Sequence, residues 1–534
     1  MNTAKSEGSD RESPMNHVIV TAEQMRAIEG QMFAGGIPVA ALMEKVAGRI
    51  ADWIVRHYSL VQFPKVGCLV GPGHNGGDAL VVARELHHQG YHVQIHYLTE
   101  KRKDLTAAHG TYLNYLGVST TATVADLQCC DLIVDGGFGF GLGRPIAGAI
   151  AQTFTTLNDG PQPVISIDLP SGLHTDTGAV LGTAIAATHT LCLGLWKRGL
   201  FQEAARPWRG NVHLIPFDIP EQAIAAVLGH TPPLQQLTAA AALAHLPLPR
   251  SATTHKYKAG HLLLIAGSRR YGGAALLAGK GAIASGVGML TVLVPESLRA
   301  MVLSQLPEAL VIGAAETEDG AIAALPDNWQ DTNYDAIACG PGMTPNISPV
   351  MMALLAYPAP LLLDADALNW VALQPERLTH RTAPTLLTPH LGEFRRLFPE
   401  ALATATDPIA AAQRAAQRTP CTLILKGANS VITAPTGQQW IMADSTPALA
   451  RGGSGDVLTG LIGGLMAQHV KRSGVAPQQA VLSAAISGAW WHAMTGQAIS
   501  QTHTELGCSP THLATTLPAA LAPWLSSQSR IQLH

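Results

Sequence analysis

Val66-Gly-Cys-Leu-Val70 runs straight into Gly71-Pro-Gly-His-Asn-Gly-Gly-Asp78; a helical pattern over Ala79–His88 then leads to a second apolar run, Val93–Leu98. Strand, glycine-rich turn, helix and strand make one βαβ unit. Working outward, Leu132–Asp135, Val164–Asp168, His189–Leu193 and Val212–Pro216 are further strand candidates separated by helix-length segments. Such alternation predicts a parallel sheet covered on both faces. The second half repeats the logic without repeating the sequence. Leu262–Ala266, Leu290–Val294, Ala336–Cys339, Leu361–Leu363 and Thr422–Leu425 read as strands, and Gly273–Ser285 as a small-residue helix. The predicted class is α/β throughout.

Between the halves, Gly229-His-Thr-Pro-Pro233 and Leu246-Pro-Leu-Pro-Arg250 flank an alanine run. Proline-rich stretches of this kind read as a linker. The expected organisation is a polar tail over 1–16, a first domain over 17–222, a linker and entry segment over 223–250, and a second domain over 251–529. A chain of 534 residues is too long for one core, so two domains agree with its length.

Composition excludes several classes. Charged residues are 13% and hydrophobic residues 47% of the chain, so buried cores rather than disorder are expected. Lys plus Arg number 34 against 37 Asp plus Glu, a net charge of −3 without a basic run, and aromatics are 5%. No nucleic-acid partner is expected. Seven cysteines, odd in number and without a CxxC, read as reduced thiols in a cytosolic protein. The N-terminus lacks the apolar core of a signal peptide, and the uncharged stretch Thr177–Trp196, broken by threonines and glycines, reads as buried strands rather than a membrane span. A cytoplasmic protein without a membrane partner is expected.

Ligands of parallel sheets gather at the carboxyl ends of strands, and the chemistry-bearing residues fall there. In Gly71–Asp78 the glycines let backbone N–H groups approach a phosphate at a helix N-terminus. Asp135-Gly-Gly-Phe-Gly139-Phe-Gly-Leu-Gly-Arg-Pro145 and Ile167-Asp-Leu-Pro-Ser-Gly172 follow two further strands. Asn75, Asp135 and Ser171 offer oxygen ligands to a hard cation, and Asp168 is the acid–base candidate of this half. In the second half, Gly452-Gly-Ser-Gly-Asp456 precedes a helix. The N–H groups of Gly453–Asp456 would form an anion hole, with Asp456 placed to take a proton from an alcohol, which is what phosphoryl transfer needs. Supporting loops are Asp364-Ala-Asp366, Thr388-Pro-His-Leu-Gly-Glu393 and Lys426-Gly-Ala-Asn-Ser430.

Together these motifs resemble the bifunctional NAD(P)H-hydrate repair family. Gly71–Asp78 is similar to the signature of the epimerase domain. His255-Lys256, Gly340-Pro-Gly342, Asp364-Ala-Asp366, Thr388-Pro-His390 with Glu393, Lys426-Gly427 and Gly452–Asp456 are similar to marks of the ADP-dependent dehydratase domain. The resemblance implies a Rossmann-like three-layer sandwich followed by a ribokinase-like α/β domain. It implies epimerisation of R and S NADHX and NADPHX in the first domain, and ADP-dependent dehydration of the S form, with release of AMP and phosphate, in the second.

The site residues it implies for the epimerase are His74, Asn75, Gly76, Gly77, Asp78, Gly139, Phe140, Gly141, Leu142, Gly143, Arg144, Pro145 and Asp168, with potassium on Asn75, Asp135 and Ser171. For the dehydratase, Gly342, His390, Glu393 and Asp456 would meet the hydrate. Lys426, Gly427, Ala428, Asn429, Ser430, Gly453, Ser454 and Gly455 would meet ADP, which carries Mg2+. Asp168 and Asp456 would be the catalytic groups, in a homo-oligomeric enzyme. Three positions depart from the family pattern: His74 stands for a usual Asn, Phe140 for a usual Thr and Leu391 for a usual Pro. The competing reading is a ribokinase-type small-molecule kinase with a non-catalytic N-terminal binding domain, which the Gly-Ser-Gly-Asp loop alone would fit equally.

Overall fold

The computed structural model describes residues 15–531. Residues 1–14 of the expected tail lie outside the described residues. The chain divides into two compact units between Gln235 and Gln236. The segment expected to link them is itself structured. Its elements are the helix Glu221–Leu228, the short strand Leu234–Gln236 and the helix Ala239–Ala244.

The sheet of the first unit is wholly parallel. Its order is Ser119–Thr120, His92–Tyr97, Lys65–Val70, Leu132–Gly136, Val164–Ile167, His189–Leu193, Asn211–Ile215. The order reverses beside Lys65–Val70, so the loops after that strand and after Leu132–Gly136 border the topological switch point. Val70 is in register with Gly136. A Cβ on Gly71 would lie 1.6 Å from the Gly137 carbonyl oxygen, so only glycine lets the two loops meet. The helix after the first loop starts at His74, not Ala79. Gly73 takes the extended N-cap position, and a Cβ on Gly76 would stand 2.1 Å from the Gly71 oxygen. Half of the glycine motif is thus helix packed on its own loop. Two helices ahead of the sheet, Ala22–Ala34 and Val39–His57, were not anticipated from the sequence.

The second unit has a parallel run Thr422–Leu425, Thr385–Leu387, Leu361–Leu363, Ala336–Cys339, His261–Ile265, Met289–Pro295, Leu310–Ala314. At one side it continues antiparallel through Ser430–Thr433 and Gln439–Met442, so Lys426–Asn429 is the turn of a hairpin. The helix Ser454–Val470 is buried along most of its length. It lies tightly on the helix Gly272–Ala284. A Cβ on Gly460 would come 1.7 Å from the Ala278 oxygen, and one on Gly281 2.2 Å from the Val457 oxygen. Within Thr177–Trp196 the strand His189–Leu193 is present, Trp196 begins the short strand Trp196–Lys197, and Val180 makes an isolated bridge to Leu173; the remainder is loop. Among the described residues, no helix is long and apolar enough to cross a membrane.

Candidate active sites

In the first unit the strand-end loops enclose a cavity of about 790 Å³. Its lining includes His74, Asn75, Asp78, Gly139, Phe140, Gly141, Leu142, Gly143, Arg144 and Asp168; Gly76, Gly77 and Pro145 stand outside the lining. Asp168 sits just past Val164–Ile167 with φ 70°, a left-handed conformation that is strained for a non-glycine residue and clusters at functional sites. Three neighbours hold it. Lys197 Nζ lies 2.6 Å from Oδ1, Leu193 N–H donates to Oδ1 at 3.3 Å, and Phe140 N–H donates to Oδ2 at 3.0 Å. Lys197 is fully buried and Asp168 is 3% exposed. Burial works against the Lys197 charge, but Asp168, with Cys192 and Glu29 adding to it, outweighs burial and holds the ammonium above its ordinary value. The Phe140 ring lies 5.7 Å from Lys197 Nζ. Phe140 therefore meets this pair with both its backbone N–H and its ring face. Arg26, Lys103 and Arg144 add cationic groups to the lining.

Asp135 and Ser171 lie behind Gly137 and Phe138. Asp135 is fully buried and accepts four hydrogen bonds. Its Oδ1 receives Gly137 N–H at 3.1 Å and Ser171 Oγ at 2.6 Å, and its Oδ2 receives Ser171 N–H at 2.9 Å and Ser166 Oγ at 2.7 Å. Burial pushes the carboxyl up, and the Ser171, Ser166 and Gly137 hydrogen bonds oppose that. Among the described residues no cationic side chain pairs with it. With its amide oriented to satisfy both ends, Asn75 donates to the Ile167 oxygen and accepts from Gly139 N–H, each at 3.3 Å. A buried carboxylate without a counter-charge, among hard oxygen donors, suits a monovalent cation.

In the second unit, Asp364 ends the strand Leu361–Leu363. Its Oδ1 lies 2.8 Å from Lys426 Nζ and its Oδ2 accepts from the buried Thr459 hydroxyl at 2.7 Å. A Cβ on Gly455 would meet Lys426 Nζ at 3.6 Å and Asp364 Oδ2 at 3.8 Å, so the start of the helix Ser454–Val470 hangs directly over this pair. Asp456, in the first turn of that helix, is pushed up to about 6 by burial and by Asp364, with Lys426 pulling it down and Asp366 adding to the rise. Asp366 Oδ2 accepts from Thr344 N–H at 2.8 Å. Thr344 and Ala365, at φ 67° and 47°, repeat the strained backbone seen at Asp168. Three carboxylates against one ammonium suit a nucleotide that arrives with a divalent cation. His390 caps the helix Leu391–Leu397. Its Nδ1 accepts from Gly392 N–H at 2.9 Å, while its own N–H donates to Glu393 Oε2 at 2.8 Å. That arrangement leaves the ring proton on Nε2. Burial pushes Glu393 up, opposed by Lys426. Gly342 has φ 64° and abuts Tyr271 and Ala274, at the start of the helix Gly272–Ala284. Ser454 Oγ and the Ser454 carbonyl both face His492 Nε2, at 3.3 and 3.0 Å. The lysine-bearing turn Lys256–Lys258 is exposed, apart from these groups.

Residues 39–199 match the family model described as YjeF-related protein N-terminus, and residues 262–519 match NAD(P)H-hydrate dehydratase. A bifunctional NAD(P)H-hydrate repair enzyme of Thermosynechococcus vestitus is 51% identical over 514 residues, covering 95% of this chain and 99% of that one. The chain belongs to the bifunctional NAD(P)H-hydrate repair enzyme family. A relative of the same description from Synechocystis sp. is 50% identical, with 96% of each chain covered. Among solved structures, an ADP/ATP-dependent NAD(P)H-hydrate dehydratase from Bacillus subtilis, co-crystallised with ATP and Mg2+, is 30% identical. It covers 54% of this chain and 98% of that one, with a TM-score of 0.44.

In this member of the repair family, the loops singled out in the sequence converge in each unit; Lys426 was among the residues named there, whereas Lys197, Thr459 and Glu29 were not. Lys197 closes an apolar segment and reads as a surface lysine, although the two strands before it left no room for exposure. Thr459 and Lys426 meet on Asp364 from 95 and 62 residues away, a separation no local pattern announces. Glu29 lines the first cavity from a helix that the sequence reading passed over.

Proposed function

We propose that the first unit interconverts the R and S hydrates of NADH and NADPH at nicotinamide C6, and that the second returns the S hydrate to NAD(P)H with ADP, releasing AMP and phosphate. The observation that carries this reading is the 51% identity to a bifunctional repair enzyme across 95% of the chain, through both units. The small-molecule kinase reading leaves the first unit without a task.

In the first unit the hydrate lies along His74–Asp78 and Gly139–Pro145, with its reacting ring at Asp168. The rim cations Arg26, Lys103 and Arg144 suit its diphosphate. Asn75, Asp135 and Ser171 would hold potassium, which would supply a positive charge beside buried Asp135. In the second unit Gly342, His390 and Glu393 hold the hydrate, and Lys426–Ser430 with Gly453–Gly455 hold the nucleotide. Mg2+ arriving with the nucleotide would shield phosphate charge, and Asp364 and Asp366 are the carboxylates that would face it. Asp456 takes the proton of the C6 hydroxyl as its oxygen attacks the β-phosphorus of ADP. The bond to AMP breaks, and the N–H groups at the helix start stabilise the transferring group. Phosphate then leaves C6, a proton leaves C5, and the C5–C6 double bond of the dihydronicotinamide forms. Hydroxide is a poor leaving group and phosphate a good one, which is why a nucleotide is spent.

The test supplies purified S hydrate and ADP and follows the return of NADH absorbance. R-to-S conversion is followed in parallel, in the wild type and in Asp168→Ala. Full recovery with ADP and loss of conversion in the variant are expected. No recovery with ADP or ATP, together with phosphorylation of a vitamin alcohol, would overturn the reading. The same reading places the enzyme in the cytoplasm as a homo-oligomer, which light scattering on the purified chain and cell fractionation check.

A further inference from the structure

The helix Ala22–Ala34 turns one face to the core through Met25, Ile28 and Met32. Arg26, Glu29 and Phe33, at i, i+3 and i+7, line the first cavity together with Asp78, Asp168 and Lys197. The helix is anchored in that rotation. Thr21 and Gln24 form a reciprocal capping box, and Ala22 N–H donates to Asp176 Oδ1 at 2.7 Å. Glu29 is therefore held at the cavity wall rather than turned to solvent.

Asp168 cannot supply the whole proton traffic of epimerisation. Its two oxygens are engaged by Lys197, Leu193 N–H and Phe140 N–H, so in any one direction of the exchange it can fill one of the two proton-transfer roles and not both. Moving a hydroxyl from one face of C6 to the other needs a donor for the departing oxygen as well. We propose that Glu29 is that donor, the second proton-transfer group of the epimerase site. The proposal rests on the epimerase reading above. In the step, Glu29 gives its carboxyl proton to the C6 hydroxyl and the C6–O bond breaks. Water leaves, and the N1 lone pair closes a C6=N1 double bond. Water then adds to the other face of C6, the electron pair returns to N1, and the proton released goes to Asp168. One proton leaves Glu29 and one reaches Asp168; exchange with solvent restores the starting state.

The electrostatics of the wall agree. Burial pushes Glu29 up to about 7, with Lys197 lowering it, Asp168 raising it and Arg26 lowering it. Asp78 also faces this cluster and is itself held well above the ordinary carboxylate range by burial, Asp168 and Glu29. A carboxyl with that proton affinity is half protonated near neutrality, which suits general acid catalysis.

The experiment measures R-to-S conversion against pH in the full chain for the wild type, Glu29→Gln and Glu29→Asp, with dehydratase activity as an internal control. In Glu29→Gln, kcat is expected to fall by about 10²-fold or more with KM little changed. The fall in wild-type rate above about pH 7 should vanish, and dehydratase activity should stay at wild type. Glu29→Asp should keep the alkaline limb at a reduced rate. Wild-type rate and pH profile in Glu29→Gln overturn the proposal while leaving the epimerase reading intact. A wild-type chain that does not epimerise at all overturns both. If Glu29→Gln unfolds the first unit, Glu29→Asp decides: a retained limb supports the proposal and an absent one overturns it.

Discussion

Replacing Lys197 by Met removes the only ammonium that pairs with Asp168 among the described residues. The two side chains sit 2.6 Å apart and are 1% and 4% exposed. Lys197 Nζ also donates to the Leu193 carbonyl, so the substitution strips that oxygen as well. A buried ion pair is of small net worth compared with an apolar pair, but breaking it from one side leaves an uncompensated charge and costs about 3–5 kcal/mol. For a unit of this size that corresponds to a fall of roughly 6–20 °C in its unfolding midpoint. The double variant Asp168→Asn/Lys197→Met removes both charges. Asparagine tolerates the φ of 70° that Asp168 adopts, so the double variant should recover more than half of the lost stability while remaining unable to epimerise. Urea unfolding of the three proteins, with R-to-S conversion and dehydratase activity measured on each, separates the outcomes. The dehydratase, in the other unit, should be unaffected. A Lys197→Met protein within about 1 kcal/mol of wild type and epimerising normally would refute the reasoning. So would a double variant no more stable than the single one.

Three further outcomes follow from the second unit. Gly455→Ala adds a methyl group at ordinary contact distance from Lys426 and Asp364, so the fold should tolerate it, with a stability change below about 1 kcal/mol. The methyl occupies the space over that pair, and dehydratase activity should fall; unchanged turnover would remove Gly455 from the site. Thr459→Val deletes the hydroxyl that donates to Asp364 Oδ2 and should cost the second unit about 1.5–3 kcal/mol, with loss of dehydratase and normal epimerisation, as calorimetry and the two assays would report. Asp456 is raised from 3.8 to about 6, so dehydratase rate should climb through about pH 6 and level above it. The same shift stabilises the fold fully below pH 3.8 and is lost as pH rises through about 6. Asp456→Asn should abolish the activity and flatten that part of the stability profile.

The strand-end loops were legible because parallel sheets put their ligands there, and because runs such as Gly71–Asp78 and Gly452–Asp456 carry more glycine than a turn requires. What the glycines do was less legible. Gly71 and Gly76 are demanded by backbone oxygens that a Cβ would strike, and Gly460 and Gly281 by helix contact, so several positions that suggest phosphate serve packing first. The helix Ala22–Ala34 escaped notice because its cavity face carries Arg26 and Glu29, which in a sequence look like a solvated surface. The hairpin around Lys426–Asn429 escaped because Ser430–Thr433 is too short for its alternation to register. Neither gap is one of propensity; both arise where tertiary surroundings decide what a polar residue faces.

The two units reach a common electrostatic arrangement from unrelated sequences. In each, a lysine pairs with a buried aspartate at a strand end, fully buried Lys197 with Asp168 at 2.6 Å and half-buried Lys426 with Asp364 at 2.8 Å. In each, a second carboxyl stands close by without a lysine of its own, and burial lifts its proton affinity toward neutrality: Glu29 to about 7 and Asp456 to about 6. On the readings proposed above, the ion pair supplies fixed geometry and the neighbouring carboxyl exchanges a proton near working pH, giving one in the first unit and taking one in the second. The units differ in which partner meets the substrate. In the second, the paired Asp364 lies beneath the helix start and Asp456 is the group proposed to react. In the first, the paired Asp168 lines the cavity itself together with Glu29, and in the proposed step the acid and base roles divide between them. That division matches the chemistry: phosphoryl transfer to a hydroxyl needs one proton acceptor, whereas moving a hydroxyl across a ring face needs a donor and an acceptor together.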